Sequence, residues 1–195
     1  PHKAKHASAP LYLRPLEAGS AVPPPPTCAL GCLIQLFLLA ACVSTATCRH
    51  LLGEEMVGLL PTLGLAFEDD DVMVPYCHIM PVGVGGKTLY LATDLHPNVL
   101  SMTTVGNDEE GTVMYIGPDS LALVDHWTAG RRRADGDGRE EHVVDIGTGS
   151  GIQALALAAA SRPSRVTCVD INPRALRVAR LNFEWNGVPV PALVL

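Results

Sequence analysis

Short apolar runs alternate with helical patterns in the C-terminal part of the chain. Val143–Ile146 and Val166–Val169 are apolar runs of the length expected for buried strands. An Ala/Leu-rich stretch follows the first run. A second helical pattern follows the second run, with Asn172 placed to cap it and Pro173 in its first turn. A third strand is expected within residues 188–195. The pattern predicts a β-α-β-α-β unit of the α/β class.

The N-terminal half carries three further helical patterns. Residues 28–48 contain no charged residue, and their most apolar part is shorter than the ~20 residues that a membrane-spanning helix needs. We therefore expect a buried helix here and no membrane segment. Ser44 is placed to cap a second helix that reaches Leu52, and residues 54–63 predict a third.

Strand patterns follow the third helix. Leu65–Phe67 and Val72–Met80 flank the acidic turn Glu68–Asp71, as the strands of a β-hairpin would. Three helices followed by a hairpin resemble a winged helix, so we predict a small winged-helix-like α+β domain over residues 28–96. Its third helix carries two glutamates and neither Lys nor Arg, which disfavours phosphate contact and favours a docking or substrate-presenting role.

A connecting segment is predicted over residues 97–141, between this domain and the α/β unit. The expected elements around it are a strand at Lys87–Ala92, a polar loop, a strand at Thr112–Ile116, a helix at Leu121–Trp127 and a charged loop that starts at Arg131–Arg133. Asp119 and Ser120 precede the helix, where such residues commonly act as caps.

The overall charge changes which partners are expected. The formal net charge is −6, which argues against broad electrostatic binding of nucleic acid, and DNA binding is not expected.

Residues 1–27 include the run Pro23–Pro26, which favours extended polyproline II and predicts a flexible arm.

The cysteines point to an intracellular location. Six cysteines occur without a C-x-x-C pair, so neither a metal site nor a disulfide framework is predicted. Reduced thiols are typical of intracellular proteins, and we expect a cytoplasmic or organellar location.

The chemistry of the α/β unit is concentrated at its first turn. Asp145, Gly147, Gly149 and Gly151 lie close together before a helix, and Asp170 ends the next strand. Glycines there let a ligand approach the backbone, and an acid at the second strand can accept both hydroxyls of a ribose. The spacing G-x-G-x-G with a preceding carboxylate suits a positively charged nucleoside better than a pyrophosphate. This pattern predicts a nucleoside site.

These residues also carry a family resemblance. The segments D-I-G-T-G-S-G and V-D-I-N-P-R-A-L-x-x-A-R-x-N resemble the first two motifs of class I S-adenosylmethionine (SAM)-dependent methyltransferases. The likeness is to the branch with the HemK-type glutamine N-methyltransferases and the RsmC-type ribosomal RNA methyltransferases. It implies a Rossmann-like core over residues 142–195, with the family strand order 3-2-1-4-5-7-6 cut off after about three strands.

The resemblance also implies roles for particular residues. The loop Gly147–Gly151, with Thr148 and Ser150, would border the methionine part of SAM. Asp145 would help to hold the amino group of SAM, Asp170 would bind its ribose, and Ile171 would lie against its adenine. Asp119 and Ser120 would stand at the rim of the site.

One family motif has no counterpart here. The Asn-Pro-Pro-Tyr/Phe motif, which in this branch binds the nitrogen to be methylated, does not occur in the sequence. No catalytic residue is therefore predicted, and we expect the chain to be a fragment that is inactive alone.

The predicted function is SAM-dependent N-methylation of a protein glutamine, as in a release factor, or of an RNA base. Two alternatives remain at this point. One is a non-catalytic protein-interaction module, and the other is an NAD-dependent oxidoreductase with a Rossmann fold.

Overall fold

The computed structural model describes residues 24–95, 111–131, 141–161, 163 and 165–195. Most of the predicted proline-rich arm, the polar loop before residue 111 and most of the charged loop after residue 131 lie outside the described residues. The contacts divide the chain into two compact units. One contains the described residues 24–79 and 94–95, and the other contains residues 80–93 and 111–195.

The first unit begins with short helices. Helix α1 (Ala29–Leu33) continues as a π-helical turn (Ile34–Leu38), and the two-residue strand β1 (Val43–Ser44) follows. The apolar stretch is therefore divided among several elements and does not form the single buried helix that we predicted. No helix among the described residues is long and apolar enough to cross a membrane.

Helices α2 and α3 lie where the sequence predicted them. Helix α2 (Thr45–Leu52) is capped by Ser44, whose Oγ accepts a hydrogen bond from the Thr47 backbone N–H at 3.2 Å. Helix α3 (Glu54–Thr62) follows directly. Its inner side is buried in an apolar core shared by the other elements of the unit, formed by Cys32, Leu36, Phe37, Val43, Cys48, Val57, Leu60, Ala66 and Met73.

A three-stranded antiparallel sheet completes this unit. Strands β2 (Ala66–Asp69) and β3 (Val72–Pro75) form a hairpin, and β3 also pairs with β1, so the strand order is β1-β3-β2. The predicted strand Val72–Met80 is wrong as one element because β3 ends at Pro75. The next strand, β4 (Cys77–Val84), belongs to another sheet. Only one residue separates the two strands, so their apolar patterns merge in the sequence.

Strand β4 pairs with β5 (Lys87–Asp94) in a two-stranded sheet. We predicted both strands within the N-terminal domain, whereas most of this hairpin falls in the second compact unit. Residues 112–116, predicted as a strand, are not part of any described sheet. Val113 and Ile116 are buried, so their apolar character reflects packing and not strand pairing.

The second unit contains the predicted α/β arrangement. Helix α4 (Pro118–Arg131) precedes strand β6 (His142–Ile146), helix α5 (Ile152–Ser161), strand β7 (Arg165–Val169), helix α6 (Pro173–Trp185) and strand β8 (Ala192–Val194).

The three C-terminal strands form a parallel sheet in the order β6-β7-β8, which confirms the α/β Rossmann-like class. Strand β6 pairs with β7 alone among the described strands. The side chains of Val144 and Ile146 on β6 are exposed.

The cap of α2 allows a direct test. Replacing Ser44 with alanine removes the acceptor for the Thr47 N–H, and we expect the free energy of unfolding to fall by about 1 kcal/mol. Urea unfolding followed by circular dichroism measures this. Thr62→Ala at the exposed end of α3 is the control, with an expected change below about 0.5 kcal/mol. Equal losses in the two variants would show that the cap contributes nothing specific.

Candidate functional site

The carboxyl ends of β6 and β7 meet at one edge of the parallel sheet, where ligands of open α/β sheets usually bind. We call residues Gly147–Gly151, which join β6 to α5, the glycine loop. The backbone N–H groups of Gly147 and Thr148 donate to the Val169 carbonyl at 2.8 and 3.1 Å. These two hydrogen bonds therefore hold the start of the loop against the end of β7.

The shape of the glycine loop depends on its three glycines. Gly147, Gly149 and Gly151 have φ values of 73, 52 and 79°. A Cβ at Gly151 would lie 3.0 Å from the Ala179 Cβ and 3.3 Å from the Ala179 Cα, so α6 passes directly against the loop. A side chain at Gly151 would strain the backbone and push α6 away.

Asp145 connects β6 to the glycine loop. Its Oδ2 accepts a hydrogen bond from Thr148 Oγ1 at 2.8 Å and one from the Ala154 backbone N–H at 3.3 Å. Ala154 lies in the first turn of α5, where a negative charge is stabilised by the helix dipole and unpaired N–H groups. The carboxylate is thus held between the loop and the start of α5.

Asp170 reaches the same loop from β7. Its Oδ2 accepts a hydrogen bond from the Gly149 N–H at 2.8 Å, and its Oδ1 accepts one from the Asn172 N–H at 2.9 Å. Asn172 in turn caps α6, since its Oδ1 accepts the Arg174 N–H at 2.9 Å. The predicted Asp145 and Asp170 therefore bind adjacent residues of one loop, and the structure brings them together.

The surface beside Asp170 is apolar and open. Ile171 has an exposed fraction of 95%. A Cβ at Gly147 would meet no atom within 4 Å, so there is open space next to the loop backbone. Partly buried carboxylates next to bare backbone and an exposed isoleucine can bind a ligand that carries hydroxyl or ammonium groups and an apolar ring.

A buried thiol lies under the loop. Cys168 on β7 is fully buried and is hydrogen-bonded to Thr148. Burial raises the pKa of the Cys168 thiol to about 11, the Thr148 hydrogen bond lowers it in part, and the Asp145 carboxylate raises it further. Cys168 is therefore a neutral thiol at physiological pH, and its role is to fill the space below the loop.

Two asparagines, Asn182 on α6 and its C-cap residue Asn186, were given no role from the sequence, although Asn182 ends the second quoted motif. The Asn182 Oδ1 accepts the Ala92 N–H at 2.7 Å, and its Nδ2 donates to the Ala92 carbonyl at 2.9 Å and the Ser150 carbonyl at 2.8 Å. Asn186 pairs in the same way with both backbone groups of Tyr90, at 2.8 and 2.7 Å. We call Asn182 and Asn186 the asparagine clamp.

The clamp links the glycine loop to β5. Asn182 and Asn186 are one helical turn apart, and Ala92 and Tyr90 are alternate residues of β5, so the two spacings match. Asn182 is fully buried, and a polar residue on the otherwise apolar face of α6 is the sequence signal that could have revealed it.

The predicted rim residues lie at the start of α4. Asp119 is exposed in its first turn, and Ser120 is buried. A Cβ at Gly117 would collide with Asp119 Oδ1, so this carboxylate folds back over the preceding backbone. Helix α4 packs against α5. No described hydrogen bond joins either residue to the glycine loop, and their rim role stays a prediction.

Comparison with known proteins agrees with this geometry. The family model of ribosomal protein L11 methyltransferase (PrmA) matches residues 132–194. The release factor glutamine methyltransferase of Bacillus subtilis is 37% identical over 73 residues, which are 37% of this chain and 25% of that protein. The ribosomal protein L11 methyltransferase of Pelotomaculum thermopropionicum is 56% identical over 46 residues, which are 24% of this chain and 15% of that protein.

The matches are confined to part of each relative, because the chain spans a quarter or less of the length of these proteins. Solved structures with partial likeness include Trm5b from Pyrococcus abyssi. It is 17% identical with a TM-score of 0.41, and the likeness covers 73% of this chain and 42% of that one. The predicted resemblance to SAM-dependent methyltransferases is confirmed by the sequence matches.

Removing the clamp is expected to destabilise the second unit. Asn182→Leu deletes three hydrogen bonds and leaves the buried backbone of Ala92 without its partner. We therefore expect the free energy of unfolding to fall by about 3 kcal/mol or more. Urea unfolding and hydrogen exchange at the Ala92 amide measure it. Asn186→Leu, at a less buried position, is the matched control, and we expect it to lower the free energy of unfolding by about 1 kcal/mol. A protected Ala92 amide in Asn182→Leu would contradict the assignment.

Alkylation tests whether the loop stays closed over Cys168. At pH 8 a thiol with a pKa of about 11 is ionised in only about one molecule in a thousand, and Cys168 is also fully buried. The alkylation rate of Cys168 should rise as the pH approaches the pKa of its thiol. At pH 8 we expect iodoacetamide to modify the exposed Cys28 at least ~10-fold faster than Cys168, as measured by peptide mass spectrometry. Equal rates in the native chain would show that the loop opens freely.

Proposed function

We propose that this chain, whose residues 132–194 match a methyltransferase family, carries the cofactor-binding part of a SAM-dependent methyltransferase. One observation carries the proposal. Asp145 and Asp170, from two adjacent parallel strands, bind adjacent residues of one glycine loop at the carboxyl edge of the sheet. The family-model match covers this same segment.

The residues around the loop fit the groups of SAM. In this proposal Asp170 binds the ribose hydroxyls and Ile171 covers one face of the adenine. The loop Gly147–Gly151, including Thr148 and Ser150, lies along the methionine part. Both described hydrogen bonds to the Asp145 side chain end at Oδ2, which leaves Oδ1 for the amino group of the ligand.

The charge of the site favours SAM over a dinucleotide. SAM carries a sulfonium and an ammonium group, and two carboxylates beside the loop attract such a ligand. The same carboxylates would repel the pyrophosphate of NAD, which normally rests on free N–H groups at a helix start. Here one of those N–H groups, that of Ala154, already donates to Asp145.

The chemistry supplied by bound SAM is transfer of its methyl group to a nucleophile. The residues of this chain would hold the donor and orient its methyl group, so their contribution is positioning and electrostatics. No Asn-Pro-Pro motif occurs in the sequence, and we assign no catalytic residue within it. The rim residues Asp119 and Ser120 are proposed to border the site from the start of α4.

A nitrogen of a protein side chain is the acceptor that we propose. The relatives are named for ribosomal protein L11 and for a release factor glutamine, which are protein substrates. An RNA base is the second possibility, and the charge of −6 disfavours it because nothing in the overall balance attracts a polyanion. The cell compartment is proposed to be cytoplasmic or organellar.

We also propose that the first unit is a winged helix. Its chain order is helix, β1, α2, α3, β2, β3, and its sheet order is β1-β3-β2. Two helices joined by a short turn, followed by a hairpin, support this interpretation. The unit would then act as a docking or substrate-presenting domain ahead of the methyltransferase core.

Ligand titration tests the proposed function. Asp170→Asn keeps an oxygen that can accept the Gly149 N–H but removes the charge, and we expect S-adenosylhomocysteine to bind about 10- to 100-fold more weakly. Isothermal titration calorimetry measures the change.

The control for this titration is Asp125→Asn, at an exposed carboxylate on α4, which should leave the affinity unchanged. A parallel titration with NADH separates the dinucleotide alternative. Tight NADH binding together with no response to S-adenosylhomocysteine would overturn the proposed function.

A further inference from the structure

Helix α3 presents apolar side chains on two sides. Val57 and Leu60 are buried in the core of the first unit, whereas Met56, Leu59 and Leu63 have exposed fractions of 46, 42 and 62%. The exposed three recur at intervals of three and four residues, so Met56 and Leu59 lie on one side of the helix and its C-cap residue Leu63 continues that side. We call Met56, Leu59 and Leu63 the α3 stripe. Exposed apolar side chains that neighbour one another form a contiguous patch, and such patches mark interaction surfaces when they are large enough.

The surroundings of the α3 stripe are acidic. Residues 24–79 contain one arginine, no lysine and six acidic residues, namely Glu54, Glu55, Glu68, Asp69, Asp70 and Asp71. Glu55 precedes Leu59 by four residues and is therefore its neighbour on the helix surface. The acidic side chains that flank the α3 stripe disfavour an anionic partner.

Arg49 links the first turn of α3 to the β2–β3 hairpin, which carries the other acidic residues. Its Nε lies 3.3 Å from Glu54 Oε2 at the start of α3, and its Nη2 lies 3.4 Å from Glu68 Oε2 at the end of β2. The acidic turn of the β2–β3 hairpin thus stands beside the first turn of α3. One guanidinium is shared between two carboxylates, so the negative charge of this region is not neutralised.

A nucleic acid does not fit this surface. The second helix of a helix-turn-helix pair is the one that usually enters the major groove, and α3 has that place in the first unit. Such a helix needs Lys, Arg or amide side chains to contact phosphates and bases. Helix α3 offers Glu54 and Glu55 in its first turn and the α3 stripe along its side.

We propose that the α3 stripe and its acidic border form a docking site for a basic, amphipathic protein segment. The segment would place apolar residues at helical spacing on Met56, Leu59 and Leu63 and lysines or arginines next to Glu54, Glu55 and the hairpin turn. This inference deepens the proposed function, on which it rests in one respect: the segment would belong to the protein that is methylated.

A synthetic peptide of leucine and lysine, with leucines at helical spacing, is the probe, and the full chain is the titrated protein. We expect the labelled peptide to bind the chain, as measured by a rise in its fluorescence anisotropy. The double variant Leu59→Ser/Leu63→Ser should weaken its binding at least ~10-fold because burial of two leucines is lost. Glu54→Gln/Glu55→Gln should weaken binding and reduce its salt dependence.

The controls separate this site from other surfaces. Leu123→Ser on α4 replaces a leucine with a similar exposed fraction, 46%, and should leave peptide affinity unchanged. A peptide of leucine and glutamate with the same spacing should not bind. Circular dichroism confirms that each variant is folded. Binding of S-adenosylhomocysteine is measured on the same samples, so a failed docking site and a failed cofactor site give different results.

Three results would overturn the docking site. The first is peptide binding that is absent, or that the α3 variants do not change. The second is binding of single-stranded RNA or duplex DNA that the α3 variants abolish, which would make nucleic acid the occupant. The third is self-association of the chain in sedimentation experiments that Leu59→Ser/Leu63→Ser removes, which would make a second copy of the chain the occupant.

Discussion

The contact between α6 and the glycine loop is the constraint on which the second unit depends. At Gly151 the loop backbone passes so close to Ala179 that no side chain fits between them. This contact fixes the distance between the loop and the helix that follows β7, and therefore the place where Asp170 and Ile171 emerge. The hydrogen bond from the Gly149 N–H to Asp170 then holds the loop over the end of the sheet.

The asparagine clamp extends this constraint beyond the sheet. The Asn182 side chain bonds to the Ser150 carbonyl of the loop and to both backbone groups of Ala92 on β5. An amide side chain can do this because it offers the same donor and acceptor as a peptide group. The edge of β5 is thereby covered by a helix, and its backbone groups are satisfied without another strand.

The charge of the first unit is opposite to what a DNA-binding helix-turn-helix domain would need. Among its described residues, Arg49 is the one arginine and is held by Glu54 and Glu68, and helix α3 exposes apolar side chains along one side. A unit whose described residues are mostly acidic is suited to recruiting a basic protein and unsuited to a polyanion. The two units thus divide the work of a methyltransferase in our proposal: one recruits the acceptor protein and the other holds the methyl donor.

Local features of the sequence determined the alternation of elements from β6 to α6 and the residues of the glycine loop. The cap at Asn172, the apolar runs of β6 and β7 and the crowded glycines act over a few residues, so they can be read along the chain. Asp145 and Asp170 could be paired in advance because the carboxyl ends of adjacent parallel strands meet at one edge.

Only the tertiary structure decided which polar groups meet across long separations. Nothing local to Asn182 indicates that its amide bonds to Ala92, about ninety residues away. Nothing local to Val113 distinguishes a buried segment outside the described sheets from a paired strand. The end of β3 at Pro75 could not be read from the pattern either, because only one residue separates β3 from β4 although the two strands belong to different sheets. Hydrogen bonds and burial between distant segments depend on how the whole chain packs, and a pattern of neighbouring residues does not record that packing.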